Sequence, residues 1–81
     1  MKLCIGSVVR AVAGRDSGKL FVVTDVQNGY CFIVDGKSRK LNSYKRKNIK
    51  HVSPTGSMID INDNITDKKL RTLLRQLATE E

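Results

Sequence analysis

The chain is 81 residues long, carries a formal net charge of +7 and has a sequence pI near 9.8. A chain of this length forms one small domain, because it cannot bury enough surface for two separate cores. It has no run of about 20 apolar residues that could span a membrane. Residues 1–5 are too few for the apolar part of a signal peptide. We therefore expect one cytoplasmic domain that makes no contact with a membrane.

The positive charge is concentrated in the first two-thirds of the chain. Residues 1–51 hold eleven Lys and Arg against three acidic residues, whereas residues 52–81 hold four against five. The two parts therefore carry net charges of +8 and −1. A basic excess on one part of a small domain is typical of proteins whose partner is a polyanion.

Short β-rich runs separated by turn residues fill this basic part. Residues 8–13 and 20–26 are rich in valine and are predicted to be two strands, joined by a loop bounded by Gly14 and Gly18. In the first strand, period-two alternation puts Val9 and Ala11 inside and Arg10 outside. Further along, the turn signals and apolar runs predict a third strand at 30–34, a fourth at about 38–41, a polar loop at 42–48, and a last strand at 48–52.

Two dipeptides mark the turns between these strands. Asn28-Gly29 favours a type I′ hairpin, because both central residues of that turn need positive φ. Asp35-Gly36 is a second turn signal at the end of the third strand. The connections are too short for crossover helices, so the sequence excludes a parallel α/β arrangement.

The last part of the chain is predicted to hold one amphipathic helix. Residues 53–57 read as a linker, and residues 58–61 as an edge strand or an extended segment docked on the barrel. Thr66 suits the N-cap of a helix over residues 67–78. One apolar stripe follows at helical spacing, formed by Leu70, Leu73, Leu74 and Leu77. An isolated helix this short is marginal in water, so the stripe must pack either on the strands or on a partner protein.

Residues 6–26 carry glycine and apolar residues in the order of a known motif. The matching positions are Gly6, Val9, Ala11, Gly14, Gly18, Val23 and Val26. This order resembles the KOW motif, a strand–loop–strand element of ribosomal proteins and of the NusG transcription elongation family, and the resemblance covers about residues 5–52. The loop and return strand are most similar to the variant in large-subunit ribosomal protein fourteen of archaea and eukaryotes. The resemblance extends to their ribosomal proteins six and twenty-seven and to short bacterial KOW proteins, and it implies binding to ribosomal RNA.

Strand count and resemblance together predict a mainly β fold, a small five-stranded SH3-like barrel of the KOW type with one C-terminal α-helix. The expected organisation is a barrel at residues 1–52, a linker with a candidate edge strand at 53–65, and the helix at 66–79.

Residues 37–50 form the most cationic stretch, with seven Lys or Arg in fourteen positions and no carboxylate. Such a run can be a merely solvated surface, but here it joins strands and shares the basic part with the glycine-bounded loop. The residues predicted to bind RNA are Arg15, Lys19, Lys37, Arg39, Lys40, Tyr44, Lys45, Arg46, Lys47 and Lys50. Tyr44 either stacks on an unpaired base or packs at the barrel edge. Tyr30 is expected to be packed.

The residue types needed for catalysis or metal binding do not occur in suitable combinations. His51 is the single histidine, and Cys4 and Cys31 are too far apart for a CxxC site, so we expect two buried reduced thiols. The loop at 14–19 lacks P-loop spacing, because Leu20 follows Lys19. We expect no enzyme, no cofactor and no metal site.

Two functions remain open from the sequence. The first is a monomeric, ribosome-associated protein that contacts ribosomal RNA, with the large subunit favoured, through a basic face. The second is a protein-interaction module of the transcription or translation machinery, as in NusG-like KOW domains, with the leucine stripe binding a partner such as a ribosomal protein. Charge alone does not distinguish RNA from DNA.

Overall fold

A computed structural model of the protein describes residues 3–62 and 64–80; residues 1, 2, 63 and 81 lie outside the described residues. The elements are β1 (Ser7–Ala11), β2 (Leu20–Gln27), β3 (Tyr30–Val34), β4 (Lys45–Asn48), a 3₁₀ turn (Ile49–His51), β5 (Val52–Met58) and α1 (Asp67–Glu80). All strand pairs are antiparallel, and one sheet has the order β4-β3-β2-β1-β5. The predicted fold, mainly β with five strands and one C-terminal helix, is confirmed.

The inner face of the sheet encloses the first of two hydrophobic cores. Val9 and Ala11 point into it, as the alternation in β1 predicts, while Arg10 on the other face is half-buried. The core consists of Val9, Ala11, Phe21, Val23, Cys31, Ile33 and Val52. The predicted core residue Ile49 is partly buried against this cluster, from the 3₁₀ turn.

Helix α1 covers the other face of the sheet and forms the second core. Its buried members are Val8, Val22, Val34, Ile59, Leu70 and Leu74. Leu73 and Leu77 pack at the margin of the same cluster, so the whole leucine stripe faces the sheet. Thr66 is the predicted N-cap, since its hydroxyl accepts a hydrogen bond from the backbone N–H of Lys69 at 3.1 Å. The stripe therefore packs on the strands of its own chain.

The predicted hairpin between β2 and β3 is confirmed. Asn28 has φ of 40° and Gly29 has φ of 86°, as a type I′ turn requires.

The fourth strand lies further along the chain than the sequence predicts. Residues 38–41 contain no strand, and the predicted polar loop at 42–48 contains β4, in which Arg46 is the partner of Phe32. The Asp35 carboxylate accepts hydrogen bonds from the backbone N–H groups of Lys37 and Arg39, at 2.9 and 2.8 Å. These bonds hold the backbone after β3 in a turn, so the chain pairs with β3 again only at Lys45.

The last strand also differs from the prediction. A 3₁₀ turn replaces most of the expected strand at 48–52, and residues 53–57, read as a linker, lie inside β5. Pro54 pairs with Val9 on this edge strand, where a residue without an N–H is tolerated. The strand ends at Met58. The chain then docks on the sheet as an extended segment, in which Ile59 donates its N–H to the carbonyl of Gly6 at 2.8 Å.

The two cysteines differ in exposure. Both are free thiols, but only Cys31 is buried, so the expectation of a buried Cys4 is wrong. Burial raises the pKa of the Cys31 thiol, which favours its neutral form. Among residues 3–62 and 64–80, no helix has the length and apolar character needed to cross a membrane.

Candidate nucleic-acid interface

The topology brings two cationic connections to one end of the sheet. Because β1–β2 and β3–β4 are antiparallel pairs, residues 12–19 and residues 35–44 leave the sheet at the same end. We call these two connections and the first two residues of β4 the basic end. Eight of the ten predicted RNA-binding residues lie there, namely Arg15, Lys19, Lys37, Arg39, Lys40, Tyr44, Lys45 and Arg46.

The loop between β1 and β2 is fixed by its own backbone. Gly18 donates its N–H to the carbonyl of Ala11 at 2.8 Å, and Ala11 donates to the carbonyl of Lys19 at 3.0 Å. Gly14 and Gly18 have φ of 81° and 89°, a region that other residues rarely adopt. The exposed Arg15 therefore stands on a rigid turn, which lowers the entropy cost of binding a phosphate.

Asp16 joins the loop between β1 and β2 to the start of β4. Its carboxylate accepts a hydrogen bond from Lys45 at 2.9 Å and lies 3.9 Å from the ammonium of Lys19. The hydrogen bond from Lys45 is the main reason that the pKa of Asp16 lies below the ordinary carboxyl value of 3.8, with the charges of Lys19 and Lys47 acting in the same direction. Asp16 thus offsets part of the positive charge while it fixes the position of Lys45.

Lys47 lies inside the protein, unlike the other predicted cations. It is 8% exposed, and its ammonium donates a hydrogen bond to the carbonyl of Ala13 at 2.8 Å. The register of β4 opposite β3 points Lys45 and Lys47 to the inner face and Arg46 to the outer face. The sequence predicts a loop at 42–48, so this alternation of buried and exposed side chains is a finding of the structure.

The outer face of β3 and β4 presents aromatic rings beside a cation. The guanidinium of Arg46 lies 4.7 Å from the centre of the Tyr30 ring, and the rings of Phe32 and Tyr44 are 4.7 Å apart at an angle of 31°. Tyr44 is 53% exposed and Tyr30 39%. Tyr44 therefore packs at the barrel edge against Phe32 and keeps part of its ring exposed, and its stacking on a base stays a prediction. The expected packing of Tyr30 is only partial. The surface suits stacking on a nucleobase.

The remaining predicted residue, Lys50, lies elsewhere. It is exposed on the 3₁₀ turn. One end of this turn lies at the hairpin between β2 and β3, where Ile49 donates its N–H to the carbonyl of Gly29. The other end lies at the end of β1, where Val12 donates its N–H to the carbonyl of His51. His51 is exposed as well. Within the described part of the chain, no cluster of three His, Cys, Asp or Glu side chains could hold a metal ion.

Comparison with known proteins places this chain among ribosomal proteins. No family model matches the chain. The large ribosomal subunit protein eL14 of Sulfolobus acidocaldarius is 31% identical over 74 residues, which cover 89% of this chain and 76% of the relative. The eL14 proteins of Staphylothermus marinus and Pyrobaculum calidifontis are 32% and 36% identical, over 91% and 82% of this chain and 75% and 65% of their own length. The chain therefore belongs to the eL14 family of large ribosomal subunit proteins.

Proposed function

We propose that this protein binds ribosomal RNA as a cytoplasmic component of the large ribosomal subunit, through its basic end. The observation that carries the proposal is the convergence of the two cationic connections at one end of a rigid sheet. Clustered Lys and Arg on a fixed scaffold neutralise several backbone phosphates at once and release their counterions. Membership of the eL14 family supports ribosomal RNA as the polyanion and a structural, non-enzymatic role, and we propose that the chain acts as a monomer.

We assign different tasks to the predicted residues. Exposed cations such as Arg15, Lys40 and Arg46 contact phosphates, with Arg suited to bidentate contact and Lys to charge neutralisation. Tyr44 stacks on a base that the RNA leaves unpaired. Lys47, which is buried, supports the loop before β2 through Ala13 and does not reach the RNA.

The alternative function, a protein-interaction module, receives less support from the structure. Its candidate binding surface was the leucine stripe of α1, and Leu70 and Leu74 of that stripe are buried against the sheet.

Binding to large-subunit ribosomal RNA should depend steeply on salt. About six phosphate contacts predict an affinity loss of about 10³-fold between about 50 and about 200 mM salt. Fluorescence anisotropy of the labelled protein, titrated with large-subunit ribosomal RNA from the cells that produce it, measures the slope of log affinity against log salt concentration. An affinity that stays flat over this range would contradict phosphate binding.

A double variant at the basic end and a single control variant on α1 locate the contact surface. In the double variant Lys40→Gln/Arg46→Gln, the salt slope should fall by about 0.7 to 0.9 per lost contact. Lys69→Gln removes one exposed lysine from α1, outside the basic end, and should leave the slope unchanged. Equal effects of the two variants would mean that the basic end has no special role.

A further inference from the structure

A cationic groove runs between helix α1 and the basic end of the sheet. It has a volume of about 840 Å³, and residues from β1, the two connections and α1 line it. Its cationic lining residues are Arg10, Lys19, Lys37, Lys68, Arg71 and Arg75. Among the described lining residues, Asp35 is the single carboxylate.

That carboxylate is already engaged by the backbone. The same Oδ1 atom of Asp35 accepts hydrogen bonds from the N–H groups of Lys37 and Arg39. Its role in the turn after β3 restricts how far it can move to pair with a cation across the groove. The groove therefore keeps a strong positive field in a partly enclosed space, where an anion is attracted more strongly than on a flat surface.

Two arginines of the groove are held in place by backbone carbonyls. Arg71 donates from Nη1 to the carbonyl of Gly36 at 2.7 Å, and Arg10 donates from Nη1 to the carbonyl of Gly18 at 2.7 Å. For Arg71, this bond uses one of five guanidinium N–H groups. Fixing these side chains before binding lowers the entropy cost of contacting a phosphate.

The helix presents its cations to the groove through the same packing that buries its leucines. Lys68, Arg71 and Arg75 follow one another at i, i+3 and i+7, so they share one face of α1. The neighbouring stripe of Leu70 and Leu74 fixes the rotation of the helix on the sheet. This spacing can be read from the sequence. The net charge of −1 over residues 52–81 nevertheless gives no sign of a basic helix face, because it sums these cations with five acidic residues.

We propose that this groove is a second RNA-binding site, which holds phosphates of the sugar–phosphate backbone of ribosomal RNA. The inference rests on the proposed function and adds the basic face of α1 to it. A chain bound at both surfaces contacts RNA with its helix as well as with the loops and β4. Several cations that line one groove can neutralise neighbouring phosphates of one RNA strand together.

The test uses the full chain and large-subunit ribosomal RNA at about 0.1 M salt. Arg75→Gln should weaken binding about five- to eightfold, and Lys68→Gln/Arg75→Gln about 25- to 60-fold, with matching decreases in the salt slope. Both side chains are exposed, so a far-UV circular dichroism spectrum and an unchanged urea midpoint check that the variants fold. The charge-preserving Lys68→Arg/Arg75→Lys variant should bind within about twofold of the parent protein, because it neutralises the same number of phosphates.

Lys69→Gln is the matched control. Lys69 lies on the same helix but does not line the groove; it lines a separate cavity beside Ile59 and Ile65. An equal loss in Lys69→Gln and Arg75→Gln would overturn the groove proposal, since it would reflect only the overall charge. If Lys40→Gln/Arg46→Gln weakens RNA binding and Lys68→Gln/Arg75→Gln does not, the groove proposal fails and the proposed function stands. If the parent protein does not bind the RNA, both fail.

A third pattern would assign the groove to a different partner. In that case Lys68→Gln/Arg75→Gln would bind isolated ribosomal RNA normally but dissociate more easily from intact large subunits. Such a result would indicate an acidic protein segment as the occupant and would contradict the RNA assignment.

Discussion

At the scale of single residues, Asp16 affects both the stability and the charge of the basic end. It is the carboxylate that joins the loop after β1 to the start of β4, through Lys45 and Lys19. It also reduces the local positive charge that would face RNA. The same side chain therefore contributes to stability and lowers the affinity for phosphate, and substitution should separate the two effects.

Asp16→Asn should destabilise the fold at neutral pH by about 1 kcal/mol, a small effect because Lys45 and Lys19 are both partly exposed. The folded-state pKa of Asp16 lies below the unfolded value near 3.8, so the ionised carboxylate stabilises the fold above that pH. This contribution is lost as the pH falls through the folded-state pKa. Urea unfolding from pH 7 to pH 2 should therefore show a smaller loss of stability for the variant than for the parent protein.

Asp60→Asn is the control for this prediction, because Asp60 is exposed and forms no ion pair within residues 3–62 and 64–80. At neutral pH, Asp16→Asn should also bind ribosomal RNA more tightly than Asp60→Asn does. Identical pH profiles for Asp16→Asn and the parent protein would contradict the role given to the Asp16–Lys45 pair.

At the scale of elements, the turn after β3 connects the sheet to the start of α1. Arg71 donates to the carbonyl of Gly36, and the Asp67 carboxylate accepts from the N–H of Leu41 at 2.8 Å. Gly36 has φ of 76°, and a Cβ there would overlap the carbonyl oxygen of Asp67. The helix can therefore dock this closely only because residue 36 has no side chain.

Gly36→Ala should lower the free energy of unfolding more than Gly56→Ala does. Both glycines have positive φ, which costs alanine about 1–2 kcal/mol, but a Cβ on Gly56 meets no atom within 4 Å. Steric overlap at Gly36 should add at least about 1 kcal/mol to that strain. Urea unfolding measures the difference. Equal losses of unfolding free energy in the two variants would show that the start of α1 does not pack tightly against Gly36.

The elements also show which parts of the fold the sequence can predict. β1, β2 and β3 follow from valine-rich alternation and the Asn28-Gly29 turn, and α1 follows from its cap and leucine spacing, because these signals are local. β4 reads Lys-Arg-Lys-Asn and β5 contains Pro54 and Gly56, so both have low intrinsic β-propensity. They are strands because β3 and β1 offer edges to pair with, which no local pattern reveals.

The same limit applies to the candidate site. Clustering of Arg15 and Lys40 at one end follows from a correct count of antiparallel strands. The burial of Lys47 depends on the register of a strand that the sequence does not reveal. The groove between Lys37 and Arg75 depends on how the helix lies on the sheet, and residues 38 positions apart in the chain meet only after folding.

At the scale of the whole molecule, most Lys and Arg side chains in the described part of the chain lie on two connected surfaces, the basic end and the groove beside α1. The hydrophobic cores on the two faces of the sheet hold these surfaces in a fixed relation. A small domain with phosphate-binding residues on adjoining sides is suited to a position between neighbouring segments of folded RNA. We therefore expect the protein to be stably incorporated into a ribonucleoprotein particle.

Sedimentation of a cell lysate through sucrose gradients, at low and at raised salt, tests directly whether the protein is part of the large subunit. The fractions are probed for the protein and for the two ribosomal subunits. We expect the protein to migrate with the large subunit and with whole ribosomes, and to remain with them at moderate salt. Migration with RNA polymerase, or at the top of the gradient even at low salt, would contradict this expectation.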